Sequence, residues 1–502
     1  MKKVLRCWNI GMLLSIFGML IMVNIRSLNY FVNSDFAAQI ILADIINKTH
    51  SILPAEWNFS TEIHISFATF FSAILLWLFP KWNTCYIISN ILTYIVLITV
   101  GGCLCRKLGI RVSWIFFTLA LFLAPISYWN LYYYNLGNEY LTYFIYELIY
   151  LTLWLQARKY MNRKRDYIFL GIWSCFLGSM GLRYVLACMM PAIFIEGMEY
   201  LHKYNEQRCF SARRCFYSVC SYIAFGVGIF INKYVLSVHY TVKNHGRYFV
   251  SLEELPDRVS TALQRIVELF GYTEKASLFS KHGIASTLGI ALIIVTVLSV
   301  VYFWKHEIYG TYTKFVVCAN VLNMFVLIFT QEDDNYYNDI RGKYFILGIF
   351  LCFPLVSAYL AELLKKSALR GGGIMVLVSM SIIFNSLVAT LEERDKTSYN
   401  NHKQVVEYLL NRGIENGYAS FWNANVNVFY SDGELLISPV NNFETMELQK
   451  HISSSRQYEL NQSVSQYFIW LTKEEEEKYG EKISNIVDKW SVGNITIYIC
   501  TR

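Results

Sequence analysis

Residues 8–46 read WNIGMLLSIFGMLIMVNIRSLNYFVNSDFAAQIILADII, an apolar run followed by a short polar segment that contains Asp35. The apolar run is long enough for a membrane-spanning helix, and Lys2, Lys3 and Arg6 precede it. No small-residue cleavage site follows the run, so we interpret it as an uncleaved first helix with a cytoplasmic N-terminus. A carboxylate therefore lies just outside the first predicted crossing.

The composition is that of a polytopic membrane protein. Of 502 residues, 55% are hydrophobic and 16% are charged, whereas about 25% are charged in an ordinary soluble domain. These fractions exclude a disordered chain, a collagen-like chain and a soluble multidomain enzyme. The net charge of +7 comes from Lys and Arg in short loops between apolar runs, which is typical of cytoplasmic loops. The sequence contains no basic patch with interleaved aromatic residues, so it does not indicate a nucleic-acid partner.

The basic loops predict a topology. Four clusters should face the cytoplasm, at 105–112, 158–165, 203–214 and 365–370. An odd number of crossings must separate the outer loop at 27–62 from the first cluster, yet two apolar runs lie between them. We therefore predict that the run at 63–79 is a re-entrant or interfacial helix. About eleven crossings remain, at roughly 20 residues each, and the C-terminus lies outside.

The predicted fold is mainly α, a polytopic transmembrane bundle over residues 1–391 followed by a small extracytoplasmic α/β domain over 392–502. The first outer loop, 27–82, contains surface or re-entrant helices, and the outer loop at 235–283 contains an amphipathic helix. In the tail, helical patterns occur at 401–411 and 473–489, and strand-like runs at Tyr418 to Trp422, Glu434 to Val440, Tyr467 to Leu471 and Ile495 to Cys500.

Two carboxylates of separate outer loops are candidate catalytic residues. A carboxylate such as Asp35, at the membrane surface, can act as a general base on a hydroxyl. The alternative is that Asp35 caps a helix over 36–46. Glu139 begins the helix after the second outer loop, on the same predicted side, and can bind an acceptor or share a metal. The alternative for Glu139 is a first-turn carboxylate that faces the helix dipole.

Three cations of the predicted outer face are candidate phosphate ligands. Arg183 lies in the turn GLRY at 181–184, against the positive-inside trend, and no carboxylate is near it in the sequence. Arg341 and Lys343 follow an acidic segment at 332–339, so they either hold a phosphate or pair with those acids.

The sequence supports a metal site less strongly than it supports the candidate carboxylates and phosphate ligands. His64 is a candidate ligand with Glu62 or Asp35, but a structural histidine is favoured because the Glu62-Ile63-His64 spacing is not a recognised ligand pattern. In the tail, the segment around Trp422 is expected either to face a cavity and bind substrate or to pack in the core.

Four short stretches carry a family resemblance: SDFA at 34–37, WNFSTE at 57–62, GLRY at 181–184 and YASFWNAN at 418–425. The first helix, the long first outer loop and the soluble tail make the chain similar to the GT-C superfamily of lipid-dependent membrane glycosyltransferases. Through the four stretches it most resembles a bacterial branch of polytopic proteins in that superfamily. Asp35 and Glu139 match the positions of that superfamily's outer-loop carboxylates. The chain departs from many members by having Ser34-Asp35 where they carry paired acidic residues.

The resemblance implies a plasma-membrane enzyme that transfers a sugar from a polyprenyl-phosphate donor to an acceptor hydroxyl outside, with inversion. The acceptor is an envelope glycan, lipid or protein, and no cofactor is implied except a candidate divalent metal. Asp35 is then the base, and Arg183, Arg341 and Lys343 hold the phosphate. Glu139, Glu62, Trp57 and Trp422 complete the site in catalysis or substrate binding. Two alternatives stay open, a flippase of polyprenyl-linked glycans and a non-catalytic accessory protein; a flippase would predict inverted repeats and broken midplane helices.

Overall fold

The structure, a computed structural model, describes residues 2–59, 63–159, 163–205, 212–239, 247–332, 340–392, 394 and 396–502. Helices dominate it. The first α-helices are α1 (Lys2–Ser27), α2 (Ser34–Thr49), α3 (Phe67–Leu75), α4 (Trp82–Lys107), α5 (Val112–Leu123), α6 (Glu139–Lys159), α7 (Lys164–Met180), α8 (Met190–Asn205) and α9 (Ala212–Tyr234). The others are α10 (Leu255–Leu269), α11 (Lys281–His306), α12 (Gly310–Phe329), α13 (Ile346–Phe350), α14 (Phe353–Lys366), α15 (Ala368–Leu391), α16 (Thr397–Asn411), α17 (Phe421–Tyr430), α18 (Ser455–Ser463) and α19 (Lys473–Tyr479).

Strands occur chiefly near the C-terminus. They are β1 (Trp57–Asn58), β2 (Arg247–Phe249), β3 (Thr330–Glu332), β4 (Asn416–Ala419), β5 (Leu436–Asn442), β6 (Glu447–Leu448), β7 (Ser453–Ser454), β8 (Gln466–Thr472), β9 (Ile486–Val492) and β10 (Ile495–Thr501). Two π-helices, at Asn130–Leu136 and Val185–Met189, precede α6 and α8. The mainly α fold with a small C-terminal α/β region is therefore confirmed.

The protein is a multi-pass membrane protein. In the described part of the chain, seven helices are long and apolar enough to cross a membrane, and a pair bent by 46°, Gly342–Phe350 and Phe353–Lys366, is an eighth candidate. The predicted count of eleven is not confirmed. One predicted crossing, α5, has 12 residues, which is about 18 Å at 1.5 Å per residue. The predicted non-crossing run contains only the nine-residue α3, about 14 Å long, against a hydrocarbon core of about 30 Å.

The chain packs as two units. The first comprises Met1–Val23, Thr93–Lys233 and Asn244–Glu392, and the second comprises Asn24–Leu92, Tyr234–Lys243 and Glu393–Arg502. The second unit thus joins the first outer loop to the tail. The predicted boundary at 391/392 separates two domains that are each continuous in the sequence, and it stays a prediction.

Helices α7 and α9 of the first unit approach each other closely at glycines. A Cβ on Gly178 would lie 2.2 Å from the carbonyl oxygen of Phe225, and a Cβ on Gly228 would lie 2.1 Å from that of Cys175. No side chain fits at those distances, so the packing of this helix pair requires glycine at both positions. Aromatic contacts also contribute to the core, for example Phe122 against Phe144 with ring centres 5.1 Å apart.

The second unit contains a six-stranded sheet in the order β6-β5-β4-β8-β10-β9. Strand β4 is parallel to β5 and β8, whereas β10 is antiparallel to β8 and β9. The buried side chains of this sheet include Trp470 and Ile497, both fully buried. Helices α2 and α17 pack together beside the sheet, and this contact joins the start of the first outer loop to the tail.

Two tail elements differ from the sequence prediction. The strand predicted over Tyr418 to Trp422 ends at Ala419, and α17 begins at Phe421 with Ser420 as its N-cap residue. The helix predicted over 473–489 ends at Tyr479, and β9 follows. The helix is started by a Thr472–Glu475 capping box, but pairing with β10 outweighs the local helical pattern further on.

Candidate functional site

Asp35 lies in the first turn of α2 and is half-buried. The side chain of Asn33 caps this helix, because its Oδ1 accepts a hydrogen bond of 2.9 Å from the backbone N–H of Phe36. The alternative that Asp35 is the N-cap is therefore not what the structure shows. The Asp35 carboxylate stands instead at the positive end of the helix dipole, a position that attracts negative charge.

The start of α2 is held in place by the tail. The Ser34 hydroxyl donates a short hydrogen bond to the carbonyl oxygen of Phe421, and both groups are buried. The Tyr430 hydroxyl donates to the carbonyl oxygen of Asn29 at 2.8 Å. The backbone around Asp35 is thus fixed by hydrogen bonds between residues that are 387 and 401 positions apart in the sequence.

Arg183 and Lys343 are brought together in the first unit around Tyr140. The Arg183 Cζ atom lies 4.0 Å from the ring centre of Tyr143 and 5.3 Å from that of Tyr140. The Lys343 Nζ atom lies 5.6 Å from the Tyr140 ring centre and 5.1 Å from that of Tyr133. Cations at these distances from ring faces are attracted by the ring quadrupole. Two positive charges therefore flank one buried tyrosine.

Glu139 belongs to the same cluster. The Tyr143 hydroxyl donates a hydrogen bond of 3.3 Å to its Oε1 atom, one turn along α6. Asn138, which precedes it, has φ of 59°, and asparagine tolerates this left-handed conformation better than most residues. We call Glu139, Tyr140, Tyr143, Arg183 and Lys343 the tyrosine–cation cluster.

Both π-helices of the chain's described part adjoin the tyrosine–cation cluster. Asn130–Leu136 ends three residues before Glu139, and Val185–Met189 begins two residues after Arg183. Arg183 itself follows Gly181, whose φ of 146° ends α7 in a conformation that favours glycine. Because π-helices are rare and frequently occur at functional sites, their position favours a functional role for the cluster.

The remaining predicted site residues have different surroundings. Trp57 is buried in β1, where it pairs with Ser454 of β7. Trp422 is 57% exposed and lines a cavity of the second unit, whereas its neighbour Phe421 is buried. Arg341 is half-buried just before Lys343, and Glu62 lies outside the described residues.

A metal centre gains no support from the part of the chain that the structure describes. Within it, no three His, Cys, Asp or Glu side chains are close enough to hold one ion. His64 and Asp35 belong to the second unit and Glu139 to the first. The candidate metal site involving these residues stays a prediction.

Comparisons with known proteins identify the fold. No protein-family model and no curated protein sequence matches the chain. Among solved structures, ArnT from Cupriavidus metallidurans bound to undecaprenyl phosphate is similar with a TM-score of 0.56 at 10% identity, over 97% of this chain and 98% of ArnT. The apo state of ArnT gives 0.55 at 10% identity, over 93% of each chain. The Archaeoglobus fulgidus oligosaccharyltransferase tethered with an acceptor peptide gives 0.47 at 10% identity, over 93% of this chain and 69% of that one.

The chain has the GT-C fold. The predicted resemblance is confirmed at the level of the fold, since so low an identity carries nothing further. Within this GT-C fold, sequence reasoning identified Glu139, Arg183 and Lys343 but missed Tyr140 and Tyr143, which bring them together. The run of tyrosines at 132–134, 140 and 143 was the available signal.

Proposed function

We propose that the protein is a membrane glycosyltransferase that moves a sugar from a polyprenyl-phosphate donor to an acceptor hydroxyl. The observation that carries this proposal is the placement of Arg183 and Lys343 around Tyr140 in a GT-C fold. ArnT, a protein of similar fold, has a structure with undecaprenyl phosphate bound, which supports a lipid phosphate as the ligand.

The tyrosine–cation cluster suits a phosphate. Two cations and one carboxylate leave the cluster with a net positive charge, which complements an anion. Arg183 offers a planar fork for two phosphate oxygens, and Lys343 offers a point charge. The charged ends of Arg183 and Lys343 lie 5.3 Å and 5.6 Å from the centre of the Tyr140 ring.

The reaction requires a base as well as a phosphate site. We assign this role to Asp35, which takes the proton of the acceptor hydroxyl. The acceptor oxygen then forms a bond to the anomeric carbon, and the bond from that carbon to the phosphate oxygen breaks. Attack from the face opposite the leaving phosphate inverts the anomeric centre. The departing polyprenyl phosphate keeps the bonding electrons, and Arg183 and Lys343 stabilise its added charge.

Glu139 has a positioning role in this scheme. Its hydrogen bond with Tyr143 links the carboxylate to the ring that lies under Arg183. Loss of Glu139 would therefore disturb the donor site through Tyr143 and Arg183.

The test uses purified protein in liposomes with a panel of polyprenyl-phosphate sugars and an envelope extract as the source of acceptor. We expect sugar to leave one of the lipids and appear in a glycan, lipid or protein product. Movement of the intact lipid across the bilayer without transfer would instead establish a flippase. Binding of none of these lipids would favour an accessory protein.

A further inference from the structure

An open cavity of about 370 Å³ is formed by residues of the second unit. It is lined by Asn29, Tyr30, Val32, Asn33, Ser398, Tyr399, His402, Trp422, Val426 and Tyr430. Its size falls in the range of about 300–1,000 Å³ that is usual for small-molecule sites. None of the residues that line the cavity is a member of the tyrosine–cation cluster.

The walls of this cavity are rich in aromatic rings that hold one another in place. Tyr399 makes edge contacts with Tyr30 and Tyr430, with ring centres 5.3 Å and 5.2 Å apart. Trp422 also lines the cavity, and its side chain is 57% exposed. Rigid rings that present apolar faces beside polar groups bind ligands with both kinds of surface. A pyranose ring has an apolar C–H face and a rim of hydroxyls.

The polar groups of the lining are neutral. His402 contacts Asn427 at 2.8 Å between Nδ1 and Oδ1, and the Asn427 amide donates to the carbonyl oxygen of Asn423. Asn427 Oδ1 is therefore the acceptor, so His402 Nδ1 carries the hydrogen and its Nε2 is an acceptor. Burial lowers the pKa of His402, so the ring is uncharged at neutral pH.

No full charge thus lines the cavity among the described residues at neutral pH. Two cations lie close by without forming part of the wall. The Lys396 Nζ atom is 5.5 Å from the ring centre of Tyr30, and the Arg394 Cζ atom is 4.5 Å from that of Phe31. A phosphate or an acidic sugar would find no cationic partner within this lining. A neutral sugar would exchange water for amide, hydroxyl and imidazole partners.

We propose that this cavity binds a neutral sugar unit of the acceptor, with the sugar packed against Trp422. The proposal rests on the proposed transferase function, and it specifies the class of acceptor. Asn33 lines the cavity and also caps α2, two residues before Asp35. An acceptor sugar in the cavity would therefore lie beside the backbone that carries the proposed base.

Direct binding to the full-length protein in nanodiscs tests this assignment without any transfer reaction. The neutral probes are the methyl glycosides of glucose, galactose, mannose and N-acetylglucosamine. The charged probes are glucuronic acid and inorganic phosphate. Binding is followed by saturation-transfer NMR on the probes. The variants are Trp422→Ala at the cavity and Trp77→Ala as a control, since Trp77 is 70% exposed in the same unit and does not line the cavity.

We expect saturable binding of at least one neutral glycoside, weakened about tenfold or more by Trp422→Ala and unchanged by Trp77→Ala. Absence of saturable binding for every neutral probe, equal binding by Trp422→Ala, or preference for a charged probe would each overturn the assignment. The exposed position of Trp422 keeps the variant folded, and an unchanged melting temperature checks this. Glycoside binding without transfer in the liposome assay would support the sugar-binding cavity and refute the transferase function. Transfer without glycoside binding would support the transferase function and refute the sugar-binding cavity.

Discussion

The Arg183 guanidinium lies over the ring of Tyr143, with Cζ 4.0 Å from the ring centre, and the hydroxyl of that same tyrosine donates to Glu139. One tyrosine thus contacts a cation through its face and a carboxylate through its hydroxyl. It orients the guanidinium, which in our proposal receives the donor phosphate.

Replacement of Arg183 by alanine should weaken binding of a polyprenyl phosphate by about tenfold or more, because charge-assisted hydrogen bonds to the phosphate are lost. Lysine at this position should restore only part of the affinity, since it lacks the planar fork. The measurement is a titration of the protein in nanodiscs with undecaprenyl phosphate. Arg165→Ala, at an exposed arginine of the same unit, is the control. Equal affinity of Arg183→Ala and Arg165→Ala for undecaprenyl phosphate would show that Arg183 does not bind the donor.

Replacement of Asp35 by asparagine should reduce sugar transfer by about 10²–10⁴-fold, the usual cost of losing a general base. Donor binding should be unchanged, because the substitution keeps the side-chain volume and the proposed phosphate ligands are Arg183 and Lys343. Asp44→Asn is the matched control: it lies on the same helix, where Asp44 pairs with Lys48 at 2.6 Å. Transfer at the normal rate by Asp35→Asn would refute the assignment of the base.

Alanine at Gly228 should destabilise the first unit by about 1–3 kcal/mol, the usual cost of overpacking. The added Cβ would lie 2.1 Å from the carbonyl oxygen of Cys175, so α7 and α9 must move apart. Gly226 is on the same helix, and a Cβ there meets nothing within 4 Å. Thermal unfolding in detergent should therefore show a lower melting temperature for Gly228→Ala but not for Gly226→Ala. Similar melting temperatures for the two variants would contradict the close packing.

The carboxylate of Glu476 should stabilise the tail sheet at neutral pH but not in acid. Lys489 lies 2.6 Å from Oε1, and the Thr496 hydroxyl donates to Oε2 at 2.6 Å. These hydrogen bonds, with that of Lys489 the largest cause, lower the pKa of Glu476 below its ordinary 4.5. A lowered folded-state pKa means that the stabilisation is complete above pH 4.5 and disappears as the pH falls through the lower, folded-state value.

Glu476→Gln should accordingly lower the melting temperature of the intact protein at pH 7, by the equivalent of less than about 1 kcal/mol because the pair is solvated. The difference from the unmodified protein should shrink as the pH falls below 4.5. Glu477→Gln, at an exposed neighbour on α19, should change nothing. A difference that is the same at pH 7 and pH 3.5 would show that the carboxylate charge is not the cause.

The C-terminus should lie outside the cytoplasm, because the four basic loops determine the parity of the predicted crossings. A reporter that is active only in the cytoplasm, fused after Arg502, should be silent, and the same reporter inserted in the basic loop at 158–165 should be active. An active C-terminal fusion would refute the topology of eleven crossings.

Much of the fold could be predicted from the sequence, because it depends on local patterns. Long apolar runs predict membrane helices without reference to the rest of the chain, since a span must satisfy its own backbone. The helix after Pro256 and the strands near Tyr467 and Ile495 are local in the same way, and the structure contains all three. Short or broken elements were less predictable, which is why the number of crossings is not confirmed.

Some candidate functional residues could likewise be identified from the sequence, and others only from the folded structure. Asp35, Glu139, Arg183 and Lys343 stand out in the sequence by themselves, because charged residues beside apolar runs are costly to place. Tyr140 and Tyr143, which contact these residues, do not stand out in the sequence, because aromatic residues are common in such a helix. Only the folded structure shows Arg183 over both rings and Lys343 over that of Tyr140. The cavity beside Asn33 depends likewise on tail residues, such as Tyr399, that are over 350 positions away. Such contacts are decided by tertiary packing, because only the folded chain brings together side chains that no local period relates.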